Sequence, residues 1–307
     1  MPWGKTAIMF VACKLTKAYS GRLKGLENLK NLIMEKYNAF GHTEALLEQI
    51  LKMPNLSKEK DELGKLKGTK DLHTVLKTLY NDSKGIPLFY SIYNVLGSSC
   101  SPDYFKTPIT KEELETYQRE CEANRKSHPE FQRDKKSEGT SYDYMLKHPG
   151  DYLMCHTAVK DVRNTERIIL NFATQRDAFE FVKRFKDLAE PTVSFKVCLG
   201  NGEVRRMLKN DKVVIYYPGD RRATVKSHII TGLGDLKPQN PISGFYHQIQ
   251  EGMGLAPETN PYWSFTMFTS EYLCEYLLGI STYQVKDMFD YVMSRLALPT
   301  DFEREEV

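Results

Sequence analysis

Between residues 152 and 217 the chain alternates between short apolar runs and polar or amphipathic stretches, and this sets the strongest limit on its architecture. Tyr152 to Val159 reads as a strand, and the run Arg167-Ile-Ile-Leu-Asn-Phe172 as a better one. Arg176 to Leu188 is an amphipathic helix with Phe179, Phe181, Val182 and Phe185 apolar. Thr192 to Leu199 is a strand, Gly200-Asn-Gly202 a turn, and Lys212 to Tyr217 another strand. Strands that alternate with helices at this spacing form a sheet with helices packed on it.

The chain before this region reads differently. Leu23, Leu26, Leu29, Leu32 and Ile33 recur at helical spacing. Thr43 is placed to cap a helix whose apolar stripe is Leu46, Leu47, Ile50 and Leu51. Ser57 to Thr69 is apolar-poor and reads as a loop or a solvated helix, Asp71 to Tyr80 as a helix, and Ile86 to Leu96 as core. Lys111 to Arg125 is helical and acidic at its start, and Lys126 to Lys147 is a charged surface stretch. Two helices close the chain, Phe265 to Leu278 and Tyr283 to Leu296. The expected class is α+β: a helical N-terminal region over 1–110, then a mixed β-sheet with packed helices over 111–307.

Composition narrows the function. The 307 residues carry 43 Lys and Arg against 40 Asp and Glu, a net charge of +3. A nucleic-acid binder ordinarily shows a basic stripe and a higher pI than the 8.3 of this chain, so no nucleic acid is expected as partner. No apolar run approaches the ~18–20 residues of a membrane span, and Ala7 to Cys13 reads as a buried helix rather than a signal core. The expectation is a soluble, intracellular protein with no membrane partner. The six cysteines are scattered without a CxxC pair, as reduced core thiols would be, and neither Cys nor His has zinc-ligand spacing. Gly4-Lys-Thr6 lacks the upstream glycine of a phosphate loop, and Gly200-Asn-Gly202 lacks the third glycine of a dinucleotide fingerprint.

Basic and phenolic side chains remain, threaded through the strands of the second half. Arg167 opens one strand, Lys196 lies inside another between Phe195 and Val197, Arg205 and Arg206 precede the third, and Tyr216 and Tyr217 end it. Alternation puts Lys196 on one face with Ser194 and Cys198. The sheet is thus able to present Arg167, Lys196, an arginine of the 205–206 pair and a tyrosine on one surface. Arginines grip phosphate bidentately, and their charge is expected to lower the pKa of a neighbouring lysine, leaving an amine able to take a proton. That set suits β-elimination from phosphoserine or phosphothreonine, where the base removes the Cα proton and the arginines stabilise the departing phosphate. Basic residues that punctuate strands are usually on a solvated face, and pattern alone favours that reading.

The order of these segments resembles the HopA-type effector family, which includes type III secreted effectors and the lyase components of class V lanthipeptide and thioamitide synthetases. The resemblance rests on Arg167-Ile-Ile-Leu-Asn171, Phe195-Lys-Val-Cys-Leu199, and Arg205-Arg206 leading through Asp211 to Tyr217. It extends to Glu122-Ala-Asn124 upstream and to Gly252-Met-Gly-Leu-Ala256 before Ser264-Phe265 downstream. More distantly the family is similar to phosphothreonine lyases. The resemblance implies Lys196 as general base, with Arg167, Arg205 and Arg206 binding phosphate and Tyr216 or Tyr217 orienting it. It implies a phosphorylated precursor peptide or phosphoprotein as substrate, a kinase-like partner protein, no metal or organic cofactor, and a bacterial cytoplasmic or host-injected location. Two departures stand out. Thr266-Met-Phe-Thr269 replaces the family's Gly-x-His-Arg after Ser264-Phe265, and Ile168 and Ile169 stand where the lyases carry an acid histidine. His156 is the candidate substitute as general acid, provided its strand is adjacent and in register; His247 is a weaker one. The alternative is a catalytically degenerate relative that binds a phosphopeptide or protein partner.

Overall fold

The computed structural model describes residues 43–82, 84–97, 103–127, 151–156, 165–200, 211–238, 242–258 and 263–296. The helical pattern before residue 43, the charged stretch from residue 128 onward, Arg205 and Arg206 lie outside the described residues.

Four helices come first: α1 (43–51), α2 (Leu56–Lys67), α3 (Leu72–Asn81) and α4 (Pro87–Gly97). The solvated stretch after Ser57 is a true helix because Leu56 and Leu63 give it two buried anchors on an otherwise charged surface. Asp71 caps α3 by accepting the Thr74 N–H at 2.9 Å. Thr43, expected as a helix cap, opens α1, and its hydroxyl accepts the Gly244 N–H at 2.7 Å. Helix α5 (Lys111–Ser127) opens with a reciprocal cap in which Thr110 and Glu113 each accept the other's backbone N–H.

The strands follow: β1 (Tyr152–His156), β2 (Glu166–Leu170), β3 (Ser194–Cys198), β4 (Val213–Tyr217), β5 (His247–Gln250) and β6 (Met253–Pro257). They form one six-stranded sheet in the order β1-β3-β4-β2-β6-β5. Every pairing is antiparallel, so the sheet is not mixed as expected. Helix α6 (Gln175–Lys186) links β2 to β3, and α7 (Arg222–Leu233) follows β4. Helices α8 (Phe265–Gly279) and α9 (Val285–Leu296) complete the described chain.

Each face of the sheet is covered. On one side Leu153, Ile168, Phe195, Val197, Ile215 and Tyr217 pack with residues of α5, α6 and α7. Phe181 and Phe185 of α6 are fully buried there, and burying each such ring contributes roughly 1.5–3 kcal/mol. On the other side Ile169, Val214 and Ala256 pack with α1 to α4, α8 and α9. This second cluster crosses the region around residue 110: Phe89 of α4 lies 5.5 Å from Trp263, just before α8. The result is an α+β molecule in which the sheet lies between two helical layers. No described helix is long and apolar enough to cross a membrane.

Candidate functional site

The face of the sheet turned toward α4 and α8 carries the chemistry. Register places Lys196 opposite Val214 and Met154, and Tyr216 opposite Ser194 and Arg167. Opposed residues share a face, so Arg167, Lys196 and Tyr216 stand together on strands that flank β4 or belong to it. Two strand spacings, about 10 Å, separate the backbones of β2 and β3, a gap that two long side chains span.

Tyr217 does not join them. As Tyr216's neighbour it points to the opposite face, where it is fully buried and its hydroxyl is pushed above the ordinary tyrosine range by burial and by Glu166. Its expected role in holding phosphate is therefore withdrawn: a strand sends successive side chains to opposite faces, and the face with Lys196 takes only one of the two tyrosines. His156 ends β1, the strand beside β3; after a register shift its backbone pairs with Phe195 rather than with Lys196. Arg205 and Arg206 are not among the described residues.

The surroundings of Lys196 reverse the expectation for its proton. Its Nζ lies 4.3 Å from the centre of the Tyr152 ring, a cation–π distance, and 5.8 Å from that of Tyr216. Burial works against the ammonium, yet Tyr216, the Asp211 carboxylate and Tyr93 outweigh it and hold the lysine above its ordinary pKa. An arginine was expected to push the other way. The geometry instead gives Lys196 acidic and phenolic neighbours, and it is a cation at neutral pH. Asp211 is itself fixed, accepting the Tyr152 hydroxyl at 2.8 Å.

Arg167 is only 3% exposed. Its guanidinium lies 5.7 Å from the ring centre of Phe265 and 6.0 Å from that of Tyr246. Its Nε is 3.0 Å from Oε2 of Glu258. The contact is close but misaligned, so Nε and Nη2 of the arginine and Oε2 of the glutamate are buried without a hydrogen bond. Burial raises the Glu258 carboxyl above its ordinary range, against the pull of Arg167 and Lys196. Tyr93 of α4 faces both cations and Asp211, and burial pushes its hydroxyl up to about 12.

The site thus joins the expected Arg167, Lys196 and Tyr216 to Tyr93, Tyr152, Asp211, Tyr246 and Glu258. Asp211 and Glu258 adjoin segments singled out in the sequence, Asp211 at the mouth of β4 and Glu258 just after β6. Tyr152 was not singled out in the sequence; it shares a face of β1 with Met154, which pairs with Lys196. Nothing local marks Tyr93, which arrives with a helix packed from far along the chain. Among the described residues no cluster of three or more His, Cys, Asp or Glu side chains is disposed to hold a metal ion. What the arrangement offers is a pair of cations on one face, with open guanidinium N–H groups on one of them.

No family model and no curated protein matches the chain. Two solved effector structures are similar to it. The effector protein from Pseudomonas syringae pv. syringae strain 61 aligns over 68% of this chain and 86% of its own, at 15% identity and a TM-score of 0.46. The effector protein from Pseudomonas syringae pv. tomato strain DC3000 aligns over 85% and 93%, at 13% identity and a TM-score of 0.48.

Proposed function

We propose that this protein binds a phosphorylated serine or threonine side chain of a peptide or protein at the Arg167–Lys196 face. The observation that carries the reading is the buried Arg167 guanidinium with unbonded Nε and Nη2 on the same sheet face as a cationic lysine. A buried N–H without an acceptor costs about 1–3 kcal/mol, and a phosphate oxygen relieves that cost with a charge-assisted hydrogen bond. Tyr216 and Tyr93 add hydroxyls within the same cluster.

Elimination is the second reading, and the resemblance to the HopA-type family and to phosphothreonine lyases supports it. Lys196 would take the Cα proton as the Cβ–O bond breaks, and phosphate would leave with the bonding electrons, steadied by Arg167. The product would be a dehydroamino acid, as in lanthipeptide-type peptide modification. Because Lys196 is held as an ammonium, such turnover would rise with pH toward the raised lysine pKa. Binding needs no deprotonation, which is why it stands first.

Both readings meet in one experiment. A library of phosphoserine and phosphothreonine peptides is incubated with the full chain, and retained and converted peptides are read by mass spectrometry. Retention of phosphopeptides over their unphosphorylated forms is expected, with Lys196→Ala weakening it roughly tenfold to a hundredfold, the value of one charge-assisted hydrogen bond of about 1.5–3 kcal/mol. Peptides that lose the elements of phosphoric acid with the native chain but not with Lys196→Ala would move the reading from binding to elimination. Equal retention of both peptide forms would sink it.

A further inference from the structure

Glu258 is held beside Arg167 by its surroundings more than by the pair's own bonding. Its backbone N–H donates to the Thr165 carbonyl at 2.7 Å, which anchors it just past β6, the strand next to Arg167. Arg167 lies beside the paired rings of Tyr246 and Phe265, whose centres are 4.7 Å apart. The two side chains are 4% and 9% exposed and 3.0 Å apart. Even so, Nε and Nη2 of the guanidinium and the facing carboxylate oxygen stay unbonded. Such a pair neutralises charge without using the directional capacity of either partner.

The charges around it decide what can enter. Glu258 faces Arg167 from β2, Lys196 from β3 and the phenol of Tyr246, while α8 contributes the apolar ring of Phe265. Arg167 also faces Tyr216 and Asp211. The formal charges of Arg167 and Lys196 are cancelled by those of Asp211 and Glu258. An anion added to this neutral set leaves uncompensated negative charge at a buried place, which is costly. Removing the charge of Glu258 restores one positive charge for the anion and ends the competition for Arg167.

Building on the phosphate reading above, we propose that Glu258 is an internal competitor for the anion, so that a phosphate ester binds Arg167 together with one proton taken up by Glu258. Burial already raises the Glu258 carboxyl above its ordinary value, so the protonated form is reached in milder acid than for a surface glutamate. The sign follows. Anion binding is strongest below the raised Glu258 pKa and weakens as the pH climbs through it. The site therefore favours phosphate esters under mildly acidic conditions.

The test uses the full chain, acetyl-phosphothreonine amide and the corresponding sulfate ester, whose charge does not change between about pH 5 and 8. Calorimetric titrations are run across that range in buffers of different ionisation enthalpy. The native chain is expected to bind the sulfate ester more weakly as pH rises, approaching roughly tenfold per pH unit for one coupled proton. Its binding heat is expected to vary with the buffer, as proton uptake requires. Glu258→Gln is expected to bind at pH 8 as tightly as the native chain does at pH 5, with no pH slope. If that variant does not fold, the proton uptake of the native chain decides alone. Binding by the native chain that is flat in pH and independent of buffer overturns the competitor role and leaves the phosphate site standing. No binding of either ester by either protein overturns the phosphate site and this proposal with it.

Discussion

Arg167 illustrates how a single buried charge ties folding to recognition. Its partner Glu258 lies beyond the adjacent strand, and neither side chain reaches solvent freely. Removing one member leaves the other as an uncompensated buried charge, whereas removing both leaves none. Arg167→Leu is therefore expected to lower unfolding stability by about 3–5 kcal/mol, and Arg167→Leu combined with Glu258→Leu to cost clearly less than that single change. Urea unfolding of the two variants checks this; a double variant no more stable than the single would mean that the pair is not coupled. At this scale the sequence singled out Arg167, Lys196 and the Tyr216–Tyr217 pair as candidates, and the pairing of β2, β4 and β3 gives Arg167, Lys196 and Tyr216 a common face. It misjudged the proton on Lys196. The acidic and phenolic neighbours that hold it, Asp211, Tyr152 and Tyr93, meet it only through strand pairing and helix packing.

Among the elements, β1 to β4 and α6 were legible because apolar runs and a strong helical stripe leave few alternatives. Helix α7 and the β5–β6 hairpin were not. The apolar residues of α7 do not gather on one face: Ile229 is buried while its neighbour Ile230 is 62% exposed. Strand β5 is a sheet edge, alternating half-buried and exposed, and it reads as polar chain. Its hairpin turns at Gly252, whose φ of 70° is one that glycine adopts without strain. Strand β6 contains a second glycine with a different task. A Cβ on Gly254 would lie 2.4 Å from Cδ1 of Ile242 and 2.9 Å from Cβ of Tyr246, so the backbone there is packed to contact. Gly254→Ala is expected to cost about 1–3 kcal/mol through overpacking. Because Tyr246 would be displaced from the Arg167 guanidinium, phosphopeptide affinity should fall as well. Chemical denaturation together with a binding titration checks both; native-like values for each would show that the contact relaxes freely.

Across the whole molecule, the helices at the two ends of the chain share one layer. Leu47, Phe89 and Ile92 from α1 and α4 lie in the same cluster as Leu273 and Leu277 of α8, Val292 of α9, and Ile169 and Val214 of the sheet. That layer also carries Tyr93 over the candidate site. A fragment starting at residue 103 loses α1 to α4 and uncovers this side of the sheet, including Ile169, Val214 and Ala256. Exposed apolar surface of that size drives association. The fragment is expected to bind a hydrophobic dye and to lack a cooperative thermal transition, even though it retains all six strands of the sheet. A sharp transition in the fragment would show that the first helices are an appended unit rather than half of the core.

What the sequence determined by itself was the kind of elements and the face each strand residue takes, because hydrophobic period and side-chain alternation are local properties of the chain. From these came the α+β class and the candidacy of Arg167, Lys196 and the tyrosine pair that ends β4. Only the tertiary structure decided that the sheet is antiparallel throughout, that Tyr217 belongs to the opposite core, and that Glu258 stands against Arg167. Each of these depends on which strand lies beside which, with partners up to about ninety residues apart in the chain (Arg167 and Glu258). Pairing over such separations is set by the burial of whole faces, and no local pattern carries that information.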